Sequence, residues 1–418
     1  MSHIVGIVCE YNPFHNGHKA QIQYAREVLG ADYVIAAMSP DFTQRGQVAI
    51  FSKYQRAAHS LNYVDMVIEI PVMYATASAE GFATAAITAL ASTGIVDTIL
   101  FSSENANRDL FEKISDILIN EPEAYKSTLR DTLASGQSYP AARLAAVKAC
   151  IPGPDNQTEE LLSKPNNILG LEYVKTLKKN HLDIHYEIME RMGEAYHSLE
   201  ADSYYSSASA IRNAIIENND NAMEGVPSKL QDSYLKLCRD DYYLSPMAVS
   251  EILHYKLLNA ENFEKYLDCN EDISNKILKH RNDYINSEQF IDLLKSKDIT
   301  YSRLSRILAH ILLDIRDTDV DYQHISLPYI RVLGIANCAT DLFSQMKEYS
   351  TVPFFTSVKE IDKAINDDIP IWENDEMVAL AKRQFETDSK ATEIYNMLLT
   401  SKCNKAIPPE ISQKFIMV

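Results

Sequence analysis

The 418-residue sequence has only six cysteines, and none of them forms a Cys-x-x-Cys pair or a Cys/His cluster. This spacing argues against a zinc site or a disulfide framework and indicates reduced, mostly buried thiols. No apolar run reaches the roughly 20 residues that a membrane-spanning helix needs. The first residues also lack the basic segment of a signal peptide. We therefore expect a cytoplasmic protein that does not enter a membrane.

Positive charge is scarce as well. The 58 Asp and Glu residues outnumber the 40 Lys and Arg residues, and the formal net charge is −18. The field of such a molecule repels polyanions, so nonspecific adhesion to nucleic acid or anionic lipid is disfavoured. An RNA partner would need a local basic patch. The length is sufficient for two or three hydrophobic cores.

Short apolar runs alternate with helical patterns over residues 1 to about 215. The runs are Ile4–Cys9, Tyr33–Met38, Met66–Ile70 and Thr98–Phe101. Such alternation predicts βαβ crossovers and a parallel sheet that is covered on both faces. The polar stretch Asn218–Pro227 has turn chemistry, and helical spacing dominates after it. We predict an α/β protein with a Rossmann-like parallel-sheet domain at 1–217 and a mainly α-helical domain at 228–418.

The strongest chemical signal is Pro13-Phe-His-Asn-Gly-His18, which lies between the first predicted strand and the predicted helix Lys19–Leu29. A strand-to-helix turn presents backbone N–H groups and the positive end of a helix dipole to a triphosphate. His15 and His18 add donors, and Gly17 allows close approach. The alternative is a chance motif whose histidines only cap a helix. Its position after a strand favours a site that stabilises charge on an α-phosphate as pyrophosphate leaves.

A second signal is Ser206-Ser-Ala-Ser-Ala-Ile-Arg212, where hydroxyl side chains precede a predicted helix. Hydroxyls and free N–H groups at a helix start bind phosphate well, although simple N-capping is the commoner reason for such a segment. Because it accompanies the histidine motif at the other end of the same predicted domain, we interpret it as a second phosphate clamp.

Glu10-Tyr-Asn-Pro-Phe-His-Asn-Gly-His18 resembles the HIGH motif of nucleotidyltransferases and class I aminoacyl-tRNA synthetases, and Ser206–Arg212 resembles their second signature. More narrowly, the chain resembles the bacterial tRNA(Met) cytidine acetate ligase family along most of its length. The resemblance rests on those two segments together with Gln44-Arg-Gly46, Ser52-Lys53, Ser103-Glu-Asn105 and Pro165-Asn-Asn-Ile-Leu-Gly170. It implies a nucleotidyltransferase domain in which acetate and ATP form acetyl adenylate. The exocyclic amine of the wobble cytidine of elongator tRNA(Met) then takes the acetyl group, giving acetylcytidine.

The resemblance also implies which residues act. In-line chemistry at phosphorus depends on positioning and on neutralising charge, and our candidates for that catalytic role are His15, His18, Lys53 and Arg56. The expected ATP contacts are Ile7, Val8, Cys9, Glu10, Tyr11, Asn12, Pro13, Phe14, Asn16, Gly17, Lys19, Ala20, Ser102, Asn166, Asn167, Arg191, Ser206 and Ser207. Either asparagine of the Pro165–Gly170 segment can cap a helix, bind the ligand or do both. We expect Mg²⁺ with the ATP but assign no metal ligands.

This sequence departs from the family at two places near the nucleotide. Ser102 stands where the family usually has glycine, and Ser39-Pro-Asp41 replaces a glycine-containing turn. Both departures lie in loops of the expected nucleotide pocket, so the resemblance does not fix the geometry of those loops.

Thr300-Tyr-Ser-Arg-Leu-Ser-Arg306 resembles the basic segment of the family's C-terminal half. Arg303 and Arg306 share a helix face, with Tyr301 nearby for stacking. The predicted tRNA-binding set is Lys276, Lys279, Tyr301, Arg303, Arg306 and Arg331. The alternative is a solvated basic face that pairs with the abundant acidic residues, but local basic clustering in an acidic chain favours tRNA.

Two other functions stay open. An adenylyltransferase for a small phosphorylated metabolite would need neither RNA nor the residues beyond about 230. An RNA-binding adaptor would use the first domain only as a scaffold. The long second half argues against the former, and the presence of both histidines, Lys53 and the serine segment argues against the latter. No oligomeric state is predicted.

Overall fold

The protein is built around one eight-stranded sheet. The structure is a computed structural model that describes residues 2–151, 156–191, 206–219, 223–321, 325–367 and 371–418. The strands are β1 (Ile4–Cys9), β2 (Tyr33–Met38), β3 (Met66–Glu69), β4 (Thr98–Ser103), β5 (His185–Glu190), β6 (Ile330–Ile335), β7 (Phe354–Phe355) and β8 (Ile416–Met417). Their order in the sheet is β5-β4-β1-β2-β3-β6-β7, and β8 pairs with β6. The pairs β1–β2, β1–β4 and β2–β3 are parallel, as the sequence predicts, and β5, which lies outside the predicted runs, also pairs parallel with β4.

Helices cover both faces of the parallel part. The helices of the first half of the chain are α1 (Asn16–Glu27), α2 (Lys53–Ser60), α3 (Val72–Ala75), α4 (Ala79–Ser92), α5 (Arg108–Asn120), α6 (Glu123–Ala134), α7 (Tyr139–Cys150), α8 (Asn156–Ser163), α9 (Pro165–Lys179) and α10 (Ala208–Ile216). Successive residues of β1 point to opposite faces: Ile4 joins one hydrophobic cluster and Val5 the other. On α9, a Cβ at Gly170 would lie 2.4 Å from a ring carbon of Phe101, so glycine lets this helix lie directly on β4.

The second half of the chain is mainly helical, as predicted. Its helices are α11 (Ser228–Arg239), α12 (Ser250–Asn259), α13 (Glu271–His280), α14 (Ser287–Leu294), α15 (Tyr301–Leu313), α16 (Leu342–Tyr349), α17 (Val358–Asn366) and α18 (Asp375–Cys403). No helix in the part of the chain that the structure describes is long and apolar enough to cross a membrane.

The sheet does not stop at the predicted domain boundary. β6, whose residues are all buried, pairs antiparallel with β3, and β7 and β8 pair parallel with β6. One continuous hydrophobic cluster contains Ile35 of β2, Leu304 of α15 and Val332 of β6. The boundary between 217 and 228 stays a prediction, but the two parts share a sheet and a core.

Candidate active site

A cavity of about 1100 Å³ opens where β1, β4 and β5 end. Its wall contains Val8 and Cys9 of β1, Ser102 of β4 and Met189 of β5. The crevice outside the carboxyl ends of parallel strands is the usual ligand site of open α/β sheets. The cavity also receives the loops that carry most of the predicted site residues.

The first turns of several helices line this cavity. Gly17 of α1, Ala79 of α4, Asn166 of α9, Ala208 of α10 and Ser302 of α15 all belong to its wall. The positive ends of these helix dipoles therefore converge on one volume. Arg45, Arg191 and Arg306 add guanidinium groups to the same wall. The cavity is suited to a polyanion, although the whole chain is strongly acidic.

His15 and His18 are fixed by hydrogen bonds to the backbone at the start of α1. The Nδ1 atom of His15 accepts a bond from the Gly17 N–H (3.0 Å), and the Nδ1 atom of His18 accepts one from the His15 N–H (3.2 Å). A neutral imidazole that accepts at Nδ1 carries its hydrogen on Nε2. Both rings therefore have an Nε2–H available as a donor, and both line the cavity.

The two imidazoles are uncharged at neutral pH. Burial, followed by the positive charges of Arg191 and Arg212, lowers the pKa of His15 to about 3. Burial, His15 and Arg191 lower the pKa of His18 well below its ordinary value. The rings stack with centroids 3.7 Å apart, a contact that two imidazolium cations would oppose. The two histidines can therefore donate hydrogen bonds without adding positive charge to the cavity.

Gly17 is required by the position of the His15 ring. A Cβ at residue 17 would lie 2.9 Å from Cε1 and 3.0 Å from Nδ1 of His15. Any larger residue would push the ring away from the N–H that it caps. The glycine of the motif therefore protects the histidine geometry.

The serine segment meets the histidine motif through Arg212. The Arg212 guanidinium donates from Nη1 to the Asn12 carbonyl (2.6 Å) and from Nη2 to Ser209 Oγ (2.9 Å). Ser207 caps α10 by accepting a hydrogen bond from the Ala210 N–H (3.2 Å). Ser206 and Ser207 both line the cavity. The histidine motif and the serine segment thus lie together at the cavity.

Asn166 and Asn167 have different places. Asn166 lines the cavity, and its side chain donates to Glu104 Oε1 (2.6 Å). Asn167 is fully buried, donates to the Glu160 carbonyl (3.1 Å) and accepts from the Asn105 N–H (3.1 Å). Of the two asparagines that the sequence left open, Asn166 therefore faces the cavity, and the amide of Asn167 fixes the loop after β4.

The chain matches the family model of HIGH nucleotidyl transferases over residues 2–408. It is 34% identical over 414 residues to the tRNA(Met) cytidine acetate ligase of Thermosipho melanesiensis, covering 96% of this chain and 95% of the relative. It is 37% identical over 399 residues to the protein of the same name from Caldanaerobacter subterraneus, covering 94% of each. The chain belongs to the tRNA(Met) cytidine acetate ligase family.

Solved structures agree with this family. The chain is similar to Thermotoga maritima TmcAL bound with alpha-thio ATP, with a TM-score of 0.89, 28% identity and coverage of 100% of this chain and 99% of that one. The apo form of the same protein gives a TM-score of 0.90 at the same identity and coverage. The predicted family and α/β fold are confirmed.

Most of the family's expected ATP contacts lie in the cavity wall. Those in the wall are Val8, Cys9, Glu10, Tyr11, Asn12, Gly17, Ala20, Ser102, Asn166, Arg191, Ser206 and Ser207. The structure places Ile7, Pro13, Phe14, Asn16 and Lys19 outside that wall. Phe14, for example, is fully buried, stacks on Tyr63 and accepts a hydrogen bond from Tyr234 at its carbonyl. Phe14 thus shapes the loop without facing the cavity.

Lys53 and Arg56 do not reach the cavity, which corrects their predicted catalytic role. Both are fully buried. The Lys53 ammonium lies 2.6 Å from Glu69 Oε1 and 2.9 Å from Glu410 Oε1. Arg56 donates to the carbonyls of Phe51 (2.9 Å) and Ser39 (3.0 Å). With their donors occupied in the interior, these residues hold the fold together.

The structure does not bring the six predicted tRNA-binding residues together in one patch. Tyr301 and Arg306 line the same cavity as the histidines, whereas Arg303 donates to the Asp268 carbonyl (3.4 Å) and Lys276 to the Leu294 carbonyl. Lys279 is exposed. The prediction that Arg331 extends an exposed patch is wrong. Arg331 is buried and instead binds the buried carboxylates of Glu69 and Glu410 and the hydroxyl of half-buried Tyr54.

Sequence reasoning missed Gln44, Arg45 and Gln47 as cavity residues. The available signal was Gln44-Arg-Gly46, which carried part of the family resemblance without being given a role. A Cβ at Gly46 would lie 2.6 Å from the Ser305 carbonyl oxygen, so this loop lies directly on α15. That contact between Gly46 and Ser305, which are 259 positions apart, brings two distant segments of the chain into one wall.

Proposed function

We propose that this chain is an ATP-dependent ligase that forms acetyl adenylate and transfers the acetyl group to the wobble cytidine of elongator tRNA(Met). The observation that carries the proposal is the pair of neutral histidines, whose Nε2–H donors lie in the cavity beside the serine segment. The names of the relatives, which match over nearly the whole chain, support the same reaction. We expect the enzyme to act in the cytoplasm, where its RNA substrate is found.

In the first step an acetate oxygen attacks the α-phosphorus of ATP, and pyrophosphate leaves with the electron pair of the broken P–O bond. The Nε2–H groups of His15 and His18 would donate to phosphate oxygens as negative charge spreads over them. Arg191 and the converging helix N-termini supply positive potential. Because the histidines are already neutral, their protonation state does not have to change during this step.

In the second step the exocyclic amine attacks the carbonyl carbon of acetyl adenylate, and AMP leaves as the mixed anhydride breaks. Tyr301 and Arg306 are suited to hold the incoming nucleotide, through stacking and contact with phosphate or base. They belong to the same cavity wall as the histidines. The adenylate would therefore not have to travel to a second site.

Mg²⁺ is part of the proposal through the phosphates of ATP. Among the described residues, no group of three or more His, Cys, Asp or Glu side chains could hold a metal ion. Mg²⁺ is commonly bound by one or two carboxylates together with substrate phosphates. The protein residues alone do not form a cage for it, so the ion would enter with ATP and neutralise its triphosphate.

Acetate-dependent exchange of labelled pyrophosphate into ATP tests the first step in the absence of tRNA. The account predicts exchange with acetate and none when acetate is omitted. Exchange that instead requires a phosphorylated metabolite would favour an adenylyltransferase, and no exchange with any carboxylate would favour a non-catalytic adaptor.

A further inference from the structure

Among the described residues that line the cavity, Glu10 is the one that carries a carboxylate. It follows β1 directly and begins the segment that ends at His18. Its Oε1 atom accepts a hydrogen bond from the Gln44 N–H (2.9 Å), and the structure gives Oε2 no hydrogen-bond partner among the described residues. Glu10 thus joins the histidine segment to the loop that lies on α15.

Part of the cavity wall comes from the loop around Gln44 and from α15. We call it the acceptor wall and define it as Gln44, Arg45, Gln47, Tyr301, Ser302 and Arg306. The close contact of Gly46 with the Ser305 carbonyl holds the loop against α15. The wall offers amide, hydroxyl, aromatic and guanidinium groups, which are the groups that bind an unpaired nucleotide.

The charge of Glu10 indicates what it contacts. A carboxylate repels the phosphates of ATP, and a cavity built only for a polyanion would exclude it. A neutral hydrogen-bond donor beside Glu10 meets no such repulsion. The exocyclic N4 amine of cytosine is such a donor, and carboxylates recognise it in nucleic acids. Uracil presents an acceptor, O4, at the same position and would be repelled.

We propose that Oε2 of Glu10 accepts a hydrogen bond from the N4 amine of the acceptor cytosine and takes its proton during acetyl transfer. This rests on the proposed function. The N4–C bond forms as the bond between the acetyl carbon and the AMP oxygen breaks. AMP leaves with that electron pair, Glu10 holds the proton and then releases it to water. Acetyl adenylate and cytidine give acetylcytidine, AMP and one proton.

Glu10→Gln tests the proposal because the amide keeps an oxygen that can accept from the Gln44 N–H but cannot take a proton. Rates are measured separately for adenylate formation and for transfer from preformed acetyl adenylate to tRNA(Met). Transfer should fall by about 10²–10⁴-fold, the usual contribution of a general base. The fall in transfer should exceed any fall in adenylate formation at least tenfold. Glu27→Gln, at the exposed end of α1, is the matched control.

Two further readouts separate this role from a structural one. The wild-type transfer rate should fall at low pH with one ionisation that the Glu10→Gln profile lacks. The variant should also bind tRNA with wobble cytidine and tRNA with wobble uridine with more similar affinities than wild type does, since an amide can donate a hydrogen bond to O4. Glu10→Asp, which retains a carboxylate, should transfer faster than Glu10→Gln.

The proposal is overturned if Glu10→Gln lowers both steps equally, because Glu10 would then only position the loop. It is also overturned if the variant transfers at the wild-type rate or if Glu10→Asp is no faster than Glu10→Gln. Thermal unfolding shows whether each variant is folded. If Glu10→Gln is not folded, the pH profile of acetyl transfer by Glu10→Asp tests the proposal in its place. Failure of the proposed function itself would be distinct, since wild-type protein would then form neither acetyl adenylate nor acetylcytidine.

Discussion

The backbone of the histidine motif determines the tautomer of both His15 and His18. Each Nδ1 atom accepts a backbone N–H, so each Nε2 atom carries a hydrogen. Burial keeps both rings neutral, as the lowered pKa values indicate. Neutral donors can stabilise the negative charge that develops on phosphate oxygens in the transition state. They bind the ground state of ATP less tightly than charged donors would, so more of their stabilisation is specific to the transition state.

His18→Ala removes one Nε2–H donor together with the acceptor for the His15 N–H. We expect acetate-dependent pyrophosphate exchange to fall by about 10²–10³-fold, as for the loss of one preorganised donor. His185→Ala is the control, because His185 is exposed on β5. Unchanged exchange in His18→Ala would contradict the assigned role.

His59 gives a prediction about pH and stability. Burial lowers its pKa from 6.5 to about 4. Between these values the unfolded chain binds a proton that the folded chain does not, so this contribution to stability is present above pH 6.5 and is lost as pH falls. Within this window, His59 makes the free energy of unfolding fall by about 1.4 kcal/mol for each pH unit of acidification. Urea denaturation at several pH values should give a smaller slope in this window for His59→Asn than for wild type.

His185→Asn is the control for that measurement, because its exposed ring should leave the slope unchanged. Equal slopes for wild type and His59→Asn would show that His59 titrates normally in the folded protein.

At the level of single residues, the residue pattern itself pointed to the histidines and the serine segment, which lie at a strand end and at helix starts, whereas Asn166 and Arg191 were expected only from the family resemblance. The structure places all of them in the wall of one cavity. The sequence could not predict that Lys53 and Arg56 point inward. A lysine beside Ser52 at a helix start is compatible with either direction, and its partner Glu410 lies 357 positions away. Only the packing of the whole chain decides between them.

At the level of elements, the strands of the first half follow their apolar runs closely. Ile4–Cys9 and Tyr33–Met38 are observed with the predicted bounds. Helix α1 begins at Asn16, earlier than the predicted Lys19, because the His15 side chain caps it. β6 was missed, since its run Ile330–Ile335 lies among helical segments and its partner β3 is far away in sequence.

Gly46→Ala tests the contact between the Gln44–Gly46 loop and α15. Gly46 has φ of +71°, and an added Cβ would meet backbone atoms of Ser305 and Arg306 at 2.6–2.7 Å. We expect about 1–3 kcal/mol of destabilisation from overpacking, in addition to the strain of the left-handed backbone. Acetyl transfer should also fall, because the acceptor wall is displaced.

Gly136→Ala is a matched control for this substitution. Its φ is +81°, but nothing lies within 4 Å of the added Cβ. It should show only the backbone strain and leave acetyl transfer unchanged. Equal destabilisation of the two variants in urea denaturation would argue against the loop–helix contact.

At the level of the whole molecule, a buried ion cluster ties the two parts of the chain together. It consists of Lys53, Glu69, Arg331 and Glu410. Burial opposes the charged form of Glu410, but Lys53 and Arg331 outweigh it and lower the pKa of Glu410 to about 2. The cluster lies beside the antiparallel pair β3–β6, where the second part of the chain joins the sheet.

Lys53→Met should destabilise the protein by about 3–5 kcal/mol, because it leaves buried carboxylates short of one positive partner. Lys295→Met provides the comparison: Lys295 pairs with Asp292 at the surface, with both side chains more than half exposed, and its loss should cost less than about 1 kcal/mol. Chemical denaturation measures both. Similar values for the two variants would mean that the buried cluster does not hold the parts together.

The central claim is that one cavity carries out both adenylation and acetyl transfer to tRNA(Met). Mass analysis of tRNA nucleosides after incubation with the protein, ATP and isotopically labelled acetate tests it most directly. We predict labelled acetylcytidine at the wobble position of elongator tRNA(Met), and none when ATP or acetate is omitted or when His18→Ala replaces the wild type. Formation of acetyl adenylate without any labelled acetylcytidine in tRNA would contradict the account.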